Sequence, residues 1–324
     1  MPLTLDSQTL LLLCSQLVLP ANPEFPPLTL REWNPLARKL QTASLRPADL
    51  LDLSQQDLQT KLDLPTEHVT RITHLLERSG ALAIALERLN NLGIFALTRA
   101  DSDYPEKYRQ RLKDSAPAVL FYAGEKALLG QPGIAVVGSR HLDEAGQECA
   151  RFAGNACGLS GQVLYSGGAK GVDTLSMEAA LEARGTAVGV LADSLERAVR
   201  GPKETLRRGD LCLVTPYSPN AGFSVGAAMG RNRLIYCLAD YAIVVASDAE
   251  TGGTWAGATE TLKNNWVPVF VLEHEQMPEG NKLLLQRGAL KFPHPFKEPP
   301  IKLPEWMKEK AASLSPKPSQ PSLF

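Results

Sequence analysis

Between Leu5 and about Leu92, apolar residues recur every three or four positions, as in Leu58-Gln59-Thr60-Lys61-Leu62 and again at Val69, Ile72, Leu75 and Leu76. That period predicts amphipathic helices with one face turned inward. Pro20, Pro26, Pro27, Pro47 and Pro65 interrupt it, because proline lacks the N–H of a helical bond and its ring clashes with the preceding turn. Residues 1–94 therefore read as a small domain of short helices. Leu62-Asp63-Leu64-Pro65 ahead of a helix resembles helix-hairpin-helix or SAM-like modules, although helix packing alone accounts for the pattern and is preferred.

After Gly133 the period shortens. Six β-rich runs follow, beginning at Ile134, Gln162, Ala187, Leu211, Tyr241 and Val267, and most lead through Gly, Ser, Asp or Pro into a helical stretch. Such alternation predicts parallel strands joined by crossover helices, an α/β class with a Rossmann-like, doubly wound, mostly parallel sheet over residues 95–292. From Pro293 the chain is rich in Pro, Lys and Glu and has too little apolar surface to order itself, so 293–324 reads as a flexible tail.

Composition narrows the chemistry. The five cysteines, Cys14, Cys149, Cys157, Cys212 and Cys237, contain no C-x-x-C pair, which suits reduced thiols in a cytoplasm. The five histidines form no ligand-spaced cluster, so neither a metal nor a cofactor is expected. Leu10 to Leu19 is apolar, but it is short and follows Asp6 rather than a basic segment, which argues against export or membrane insertion. With a net charge of -1 there is no overall basic excess, and any nucleic-acid site must be local.

In an open α/β sheet, ligands gather beyond the carboxyl ends of the strands. The first such loop is Gly138-Ser139-Arg140, with a helix expected near Asp143; amides and a guanidinium at a helix start suit an anion. The second is Ser166-Gly167-Gly168-Ala169-Lys170-Gly171, where three glycines allow close backbone approach and Lys170 adds charge, as in a phosphate cradle. Neither loop is G-x-G-x-x-G, and no acid closes the second strand, which disfavours NAD. A third stretch runs from Asn220 to Arg233. There Arg231 and Arg233 flank Asn232 at an expected helix start, and Phe223 offers a stacking face for an unpaired base. Cations fit that helix end poorly unless an anionic partner is present. In the fourth loop, Gly252-Gly253-Thr254, Thr254 is expected to cap a helix.

Taken in order, V-V-G-S-R, S-G-G-A-K-G-V-D, G-R-N-R-L-I and T-G-G-T-W-A-G-A resemble the motifs of the DprA/Smf DNA-processing family over roughly Phe95 to Phe292. Asp101-Ser102-Asp103-Tyr104-Pro105 and Pro117-Ala118-Val119-Leu120-Phe121 fit that family's lead-in. The resemblance implies single-stranded DNA binding, RecA loading during DNA uptake or recombination, and a homodimer. It places Gly138, Ser139 and Arg140 in the first phosphate loop, Gly167, Lys170 and Gly171 in the second, and Arg231, Asn232 and Arg233 in the third. The chain departs from the pattern by carrying Ala228-Met229 where many members have Phe-Pro, Gly-Gly-Ala-Lys-Gly for Gly-Leu-Ala-Arg-Gly, and a tail where many carry a winged helix. These differences mark a divergent branch. Gln320-Pro321-Ser322-Leu323-Phe324 is similar to a sliding-clamp docking peptide, with Gln320, Leu323 and Phe324 as its anchors.

The loops present donors and cations but no poised nucleophile or base, so a non-catalytic binder is expected. The alternatives are a SLOG-type nucleotide sensor, a phosphoribohydrolase-like enzyme, or a partner in an anti-phage toxin-antitoxin pair. Against the hydrolase, Thr259 rather than Glu260 falls where the LOG motif P-G-G-x-G-T-x-x-E has its glutamate.

Overall fold

A computed structural model describes residues 3–20, 22–275, 277–293 and 302–312. Helices come first: α1 (Leu5–Cys14), α2 (Leu30–Thr42), α3 (Gln55–Lys61), α4 (Thr66–Leu76) and α5 (Ser79–Asn91). Then follow β1 (Ile94–Thr98), α6 (Glu106–Leu112), β2 (Val119–Gly124), β3 (Gly133–Val137), α7 (Glu144–Leu159), β4 (Val163–Ser166) and α8 (Val172–Glu182). The chain continues through β5 (Ala187–Val190), α9 (Leu195–Ala198), α10 (Lys203–Arg208), β6 (Leu211–Thr215), α11 (Val225–Leu238), β7 (Tyr241–Val244) and α12 (Gly252–Asn264). It closes with β8 (Val269–Glu273), α13 (Glu279–Gln286), β9 (Leu290–Pro293) and α14 (Leu303–Ala312). None of the described helices is long and apolar enough to cross a membrane.

The described residues fall into two compact units, one from Met1–Gly130 with Val188–Arg231, the other from Gln131–Ala187 with Asn232 onward. In the first, the Leu10 to Leu13 run is fully buried, so α1 is the central helix of the helical region. The hydroxyl of Ser7 donates to the Asp101 carboxylate at 2.6 Å, and Thr98 gives that carboxylate its N–H (2.7 Å) and its hydroxyl (3.0 Å). The Tyr104 hydroxyl donates to the Pro117 carbonyl at 2.7 Å. The Asp-Ser-Asp-Tyr-Pro stretch thus joins α1 to β1 and β2, a structural duty that satisfies buried polar groups. β1 pairs with β2, and β2 with β6, antiparallel.

α2 opens with a capping box in which Glu32 accepts the Thr29 N–H at 2.8 Å, and the same carboxylate receives Arg71 at 2.6 Å. Desolvation raises the Glu32 pKa, but the hydrogen bonds from Arg71 and Thr29 outweigh it and bring the pKa down to about 2. Because the folded value lies below the unfolded one, the stabilisation is complete above about 4.5 and is lost as pH falls through about 2. Glu32→Gln should therefore melt below the parent at pH 7, and thermal melts taken toward pH 2 should converge. A gap that stays constant would contradict this linkage.

In the second unit β4, β3, β7, β8 and β9 lie side by side, all parallel. All six strands expected from the β-rich runs are present, and the mostly parallel α/β class holds. The structure adds β1, β2 and β9, which lie outside the six runs and flank them in sequence. α7 and α8 touch backbone to backbone. A Cβ on Gly154 would stand 2.1 Å from the Ser176 carbonyl oxygen, and one on Gly158 2.7 Å from that of Ala180. Ala150, Gly154 and Gly158, spaced by four, form the seam, because only small residues let helix backbones approach so closely.

Past Pro293 the expectation of a tail without ordered elements needs correction. Leu303 and Met307 of α14 are buried, and Trp306 packs on Phe270 and Phe292 with ring centroids 5.8 and 5.7 Å away. These three apolar residues lie on one helix face but are diluted among prolines and charges, so mean composition hid them. Gln320, Leu323 and Phe324 lie outside the described residues.

Candidate functional site

The loops after β3, β4 and β7 meet within the second unit. The Ser139 N–H donates to the Ala246 carbonyl at 2.9 Å, and its own carbonyl accepts the Val172 N–H at 3.2 Å. Two glycines permit this. A Cβ on Gly138 would lie 2.4 Å from Val172 Cγ2; one on Gly171, whose φ is +85°, would lie 2.4 Å from the Ser139 oxygen and 2.8 Å from Arg140 Cα. Gly171 is therefore required twice, by its left-handed backbone and by the neighbouring loop.

With the loops held this way, Arg140, Gly168 and Lys170 are exposed. Asp143 caps α7 by accepting the Gly146 N–H at 2.8 Å, so the helix begins where expected. Asp173, in the first turn of α8, accepts the Ala169 N–H at 3.3 Å, and Thr174 donates its hydroxyl to the Ala169 carbonyl at 2.7 Å. The second loop is thus braced from inside its own helix. Gly167 is buried. Ser166 is fully buried too, with its hydroxyl given to the Val136 carbonyl at 2.7 Å, so it serves the sheet rather than the loop surface.

The third stretch differs from expectation. α11 begins at Val225, which puts Arg231, Asn232 and Arg233 in the middle of a helix instead of at its start. Gly226 and Gly230 resemble loop punctuation, but a helix tolerates glycine at a cost of about 1 kcal/mol each. No helix dipole end therefore opposes these cations, and that reason for an anionic partner falls away. Arg231 is 4% exposed. Asn232 donates its amide to the Gly253 carbonyl at 2.9 Å, tying α11 to the loop after β7. Arg233 is half-buried, and its Nε has no hydrogen-bond partner. Phe223, 52% exposed, belongs to the first unit.

In the fourth loop Thr254 is no cap. α12 starts at Gly252 after Thr251, so Thr254 lies inside the first turn. Glycine's low helix propensity hid that start. The amides of Gly252, Gly253 and Thr254 are then among those a helix start leaves without internal acceptors. Gly257 sits where a Cβ would be 2.9 Å from the Tyr236 ring and 3.3 Å from Asn232 Cβ, which lets α11 and α12 pack closely. Burial, reinforced by the nearby Asp173 carboxylate, drives the Tyr236 pKa upward and keeps its phenol neutral.

Two positioning residues escaped the sequence reading. Asn281, fully buried, accepts the Ser247 N–H at 2.8 Å and donates to the Val245 carbonyl at 2.9 Å, which fixes the exit of β7. A Cβ on Gly280 would come within 2.3 Å of the Ser247 oxygen. Only a Gly-Asn pair at a helix start hinted at either. For nucleophilic chemistry the cysteines are unsuited: burial, with Glu148 adding to it, pushes Cys149 up to about 11, and burial takes Cys157 to about 12. Among the described residues no group of three or more His, Cys, Asp or Glu could hold a metal.

The family model for DNA recombination-mediator protein A matches residues 95–295, the stretch that carries all four loops. The chain belongs to this family. Relatives include the DNA processing protein DprA of Streptococcus pneumoniae, 31% identical over 183 residues, or 54% of this chain and 63% of that one. DprA of Bacillus subtilis is 26% identical over 193 residues, or 58% of each. The matches thus span 58 to 63% of these two curated relatives. The X-ray structure of Streptococcus pneumoniae DprA is similar with a TM-score of 0.56 at 24% identity, covering 82% of this chain and 95% of that one. A Helicobacter pylori DprA structure, described by its single-stranded DNA binding mode, has a TM-score of 0.54 at 22% identity and covers 67% and 97%. These likenesses establish a shared fold.

Proposed function

We propose that this member of the DNA recombination-mediator protein A family binds single-stranded DNA. Arg140 and Lys170 pair with phosphates, aided by the backbone amides of Gly138, Gly168, Gly171 and residues 252 to 254, while Ser139, whose N–H and carbonyl bond Ala246 and Val172, holds the loops together. The observation that carries this reading is the close approach at Gly171, which draws two crossover loops together while leaving Arg140 and Lys170 at the surface. Exposed cations, with the helix start at Gly252 to Thr254 in the same unit, suit a phosphodiester. Ser166 and Arg231, being buried, are left out of the DNA-touching set, Gly167 and Asn232 shape the loops, and Arg233 and Phe223 remain candidates for a phosphate and a base. The description of the Helicobacter pylori relative supports the choice of ligand. RecA loading, a homodimer, clamp docking through Gln320, Leu323 and Phe324, and a cytoplasmic setting extend the same proposal. So do a non-catalytic role and the division into 1–94, 95–292 and 293–324.

Anisotropy titrations of a labelled oligothymidylate at two salt concentrations test it. Arg140→Ala and Lys170→Ala should each weaken binding about three- to tenfold and flatten the salt slope by about 0.7 for each phosphate left without its cation. Unchanged affinity in both variants would overturn the assignment. Release of ribose phosphate from nucleoside monophosphates would instead favour the hydrolase alternative.

A further inference from the structure

The first unit holds a cleft of about 890 Å³, within the size range of small-molecule sites. Its floor is apolar, with Phe95, Val199 and Leu206, and Phe95 is 42% exposed, its ring 5.7 Å from that of Tyr122 across the β1–β2 pair. Four cations line it, Arg200, Lys203, Arg207 and Arg208, against two carboxylates, Glu125 and Glu196. Both carboxylates are engaged: Glu196 with Arg88 at 2.6 Å, and Glu125 with the Ala127 N–H at 2.9 Å. Arg207 and Arg208 are paired in turn with Glu204 and Asp210. Arg200 and Lys203 are exposed and have no carboxylate partner among the described residues. In a chain of net charge -1, two cations without counter-charges beside a bare aromatic ring define a ligand that is flat and apolar at one end and anionic at the other.

We propose that this cleft binds a nucleotide, with its base laid on Phe95 and its phosphate held between Arg200 and Lys203. The site is separate from the loops of the second unit and does not depend on them. A nucleotide within a strand and a free nucleotide share this chemistry.

Photo-cross-linking of the full chain, with peptides identified by mass spectrometry, tests the proposal using two probes: an oligothymidylate and thymidine monophosphate. Label is expected on Phe95, and Arg200→Glu combined with Lys203→Glu should reduce it about tenfold, since phosphate pairing becomes repulsion. Lys170→Ala should leave the label in place, so loss of the loop site and loss of this one are told apart. Label from the oligomer alone assigns the cleft to a strand, and label from both probes assigns it to nucleotides in general. No label at Phe95 from either probe, or label indifferent to the charge reversal, overturns the proposal. Capture of an acidic peptide in place of either nucleotide probe would do the same.

Discussion

Gly171→Val is expected to cost most of the oligonucleotide affinity, at least about a hundredfold, because it removes the condition under which two loops share one surface. An L-residue at a φ of +85° and a ψ of −130° is strained, by about 1–3 kcal/mol for the backbone alone. A Cβ 2.4 Å from the Ser139 oxygen and 2.8 Å from Arg140 Cα meets main chain, which cannot rotate away as a side-chain tip can. Nor is Ser139 free to yield, since Ala246 and Val172 hold its N–H and carbonyl. The loops must separate, and Arg140 and Lys170 with them. Gly171→Ala should shift binding in the same direction by less. Anisotropy titration beside a thermal melt checks this: affinity lost at a temperature where the melt shows the variant still folded is the expected pattern. Full affinity in the valine variant would show that the spacing of the loops does not matter to the ligand.

The second large effect is on folding itself. Gly154→Val places a branched side chain where even a Cβ would stand 2.1 Å from the Ser176 oxygen, so α7 and α8 must move apart along their seam. Overpacking a core commonly costs 1–3 kcal/mol, and a clash with backbone belongs at or above the upper end, about 3 kcal/mol or more, a large share of a domain's stability. The variant should melt well below the parent or fail to fold, as circular dichroism melts would record. Gly80→Ala is the control: nothing lies within 4 Å of a Cβ there, and it should leave the melt unchanged or slightly raised. Equal melts for parent and Gly154→Val would refute the seam. The consequence reaches the loops, because α7 starts beyond Arg140 and α8 starts at Val172.

Much of this was legible from local pattern. Six strands were marked by short apolar runs ending in Gly, Ser, Asp or Pro, and the four glycine-bearing stretches were visible at strand ends or before a helix. A helix start near Asp143 was legible, and the structure makes Asp143 its cap. Where the reading went astray, an average misled it. Gly226, Gly230 and Gly252 lie within helices, because helix propensity is a weak preference that packing overrides. Three anchors in α14 were lost among prolines and charges.

By itself, the amino-acid order determined the period of each segment, the class of the fold, and which strand ends carry glycine. Those are properties of neighbours along the chain: side-chain alternation, caps, and glycine's freedom of φ. Only the tertiary structure decided that Gly171 answers to Ser139, that Gly154 answers to Ser176, that Ser166 and Arg231 are buried, and that Arg200 and Lys203 face a cleft with Phe95. Each of those depends on atoms far apart in sequence that steric exclusion and burial bring within a few ångströms, and no local spacing encodes that distance.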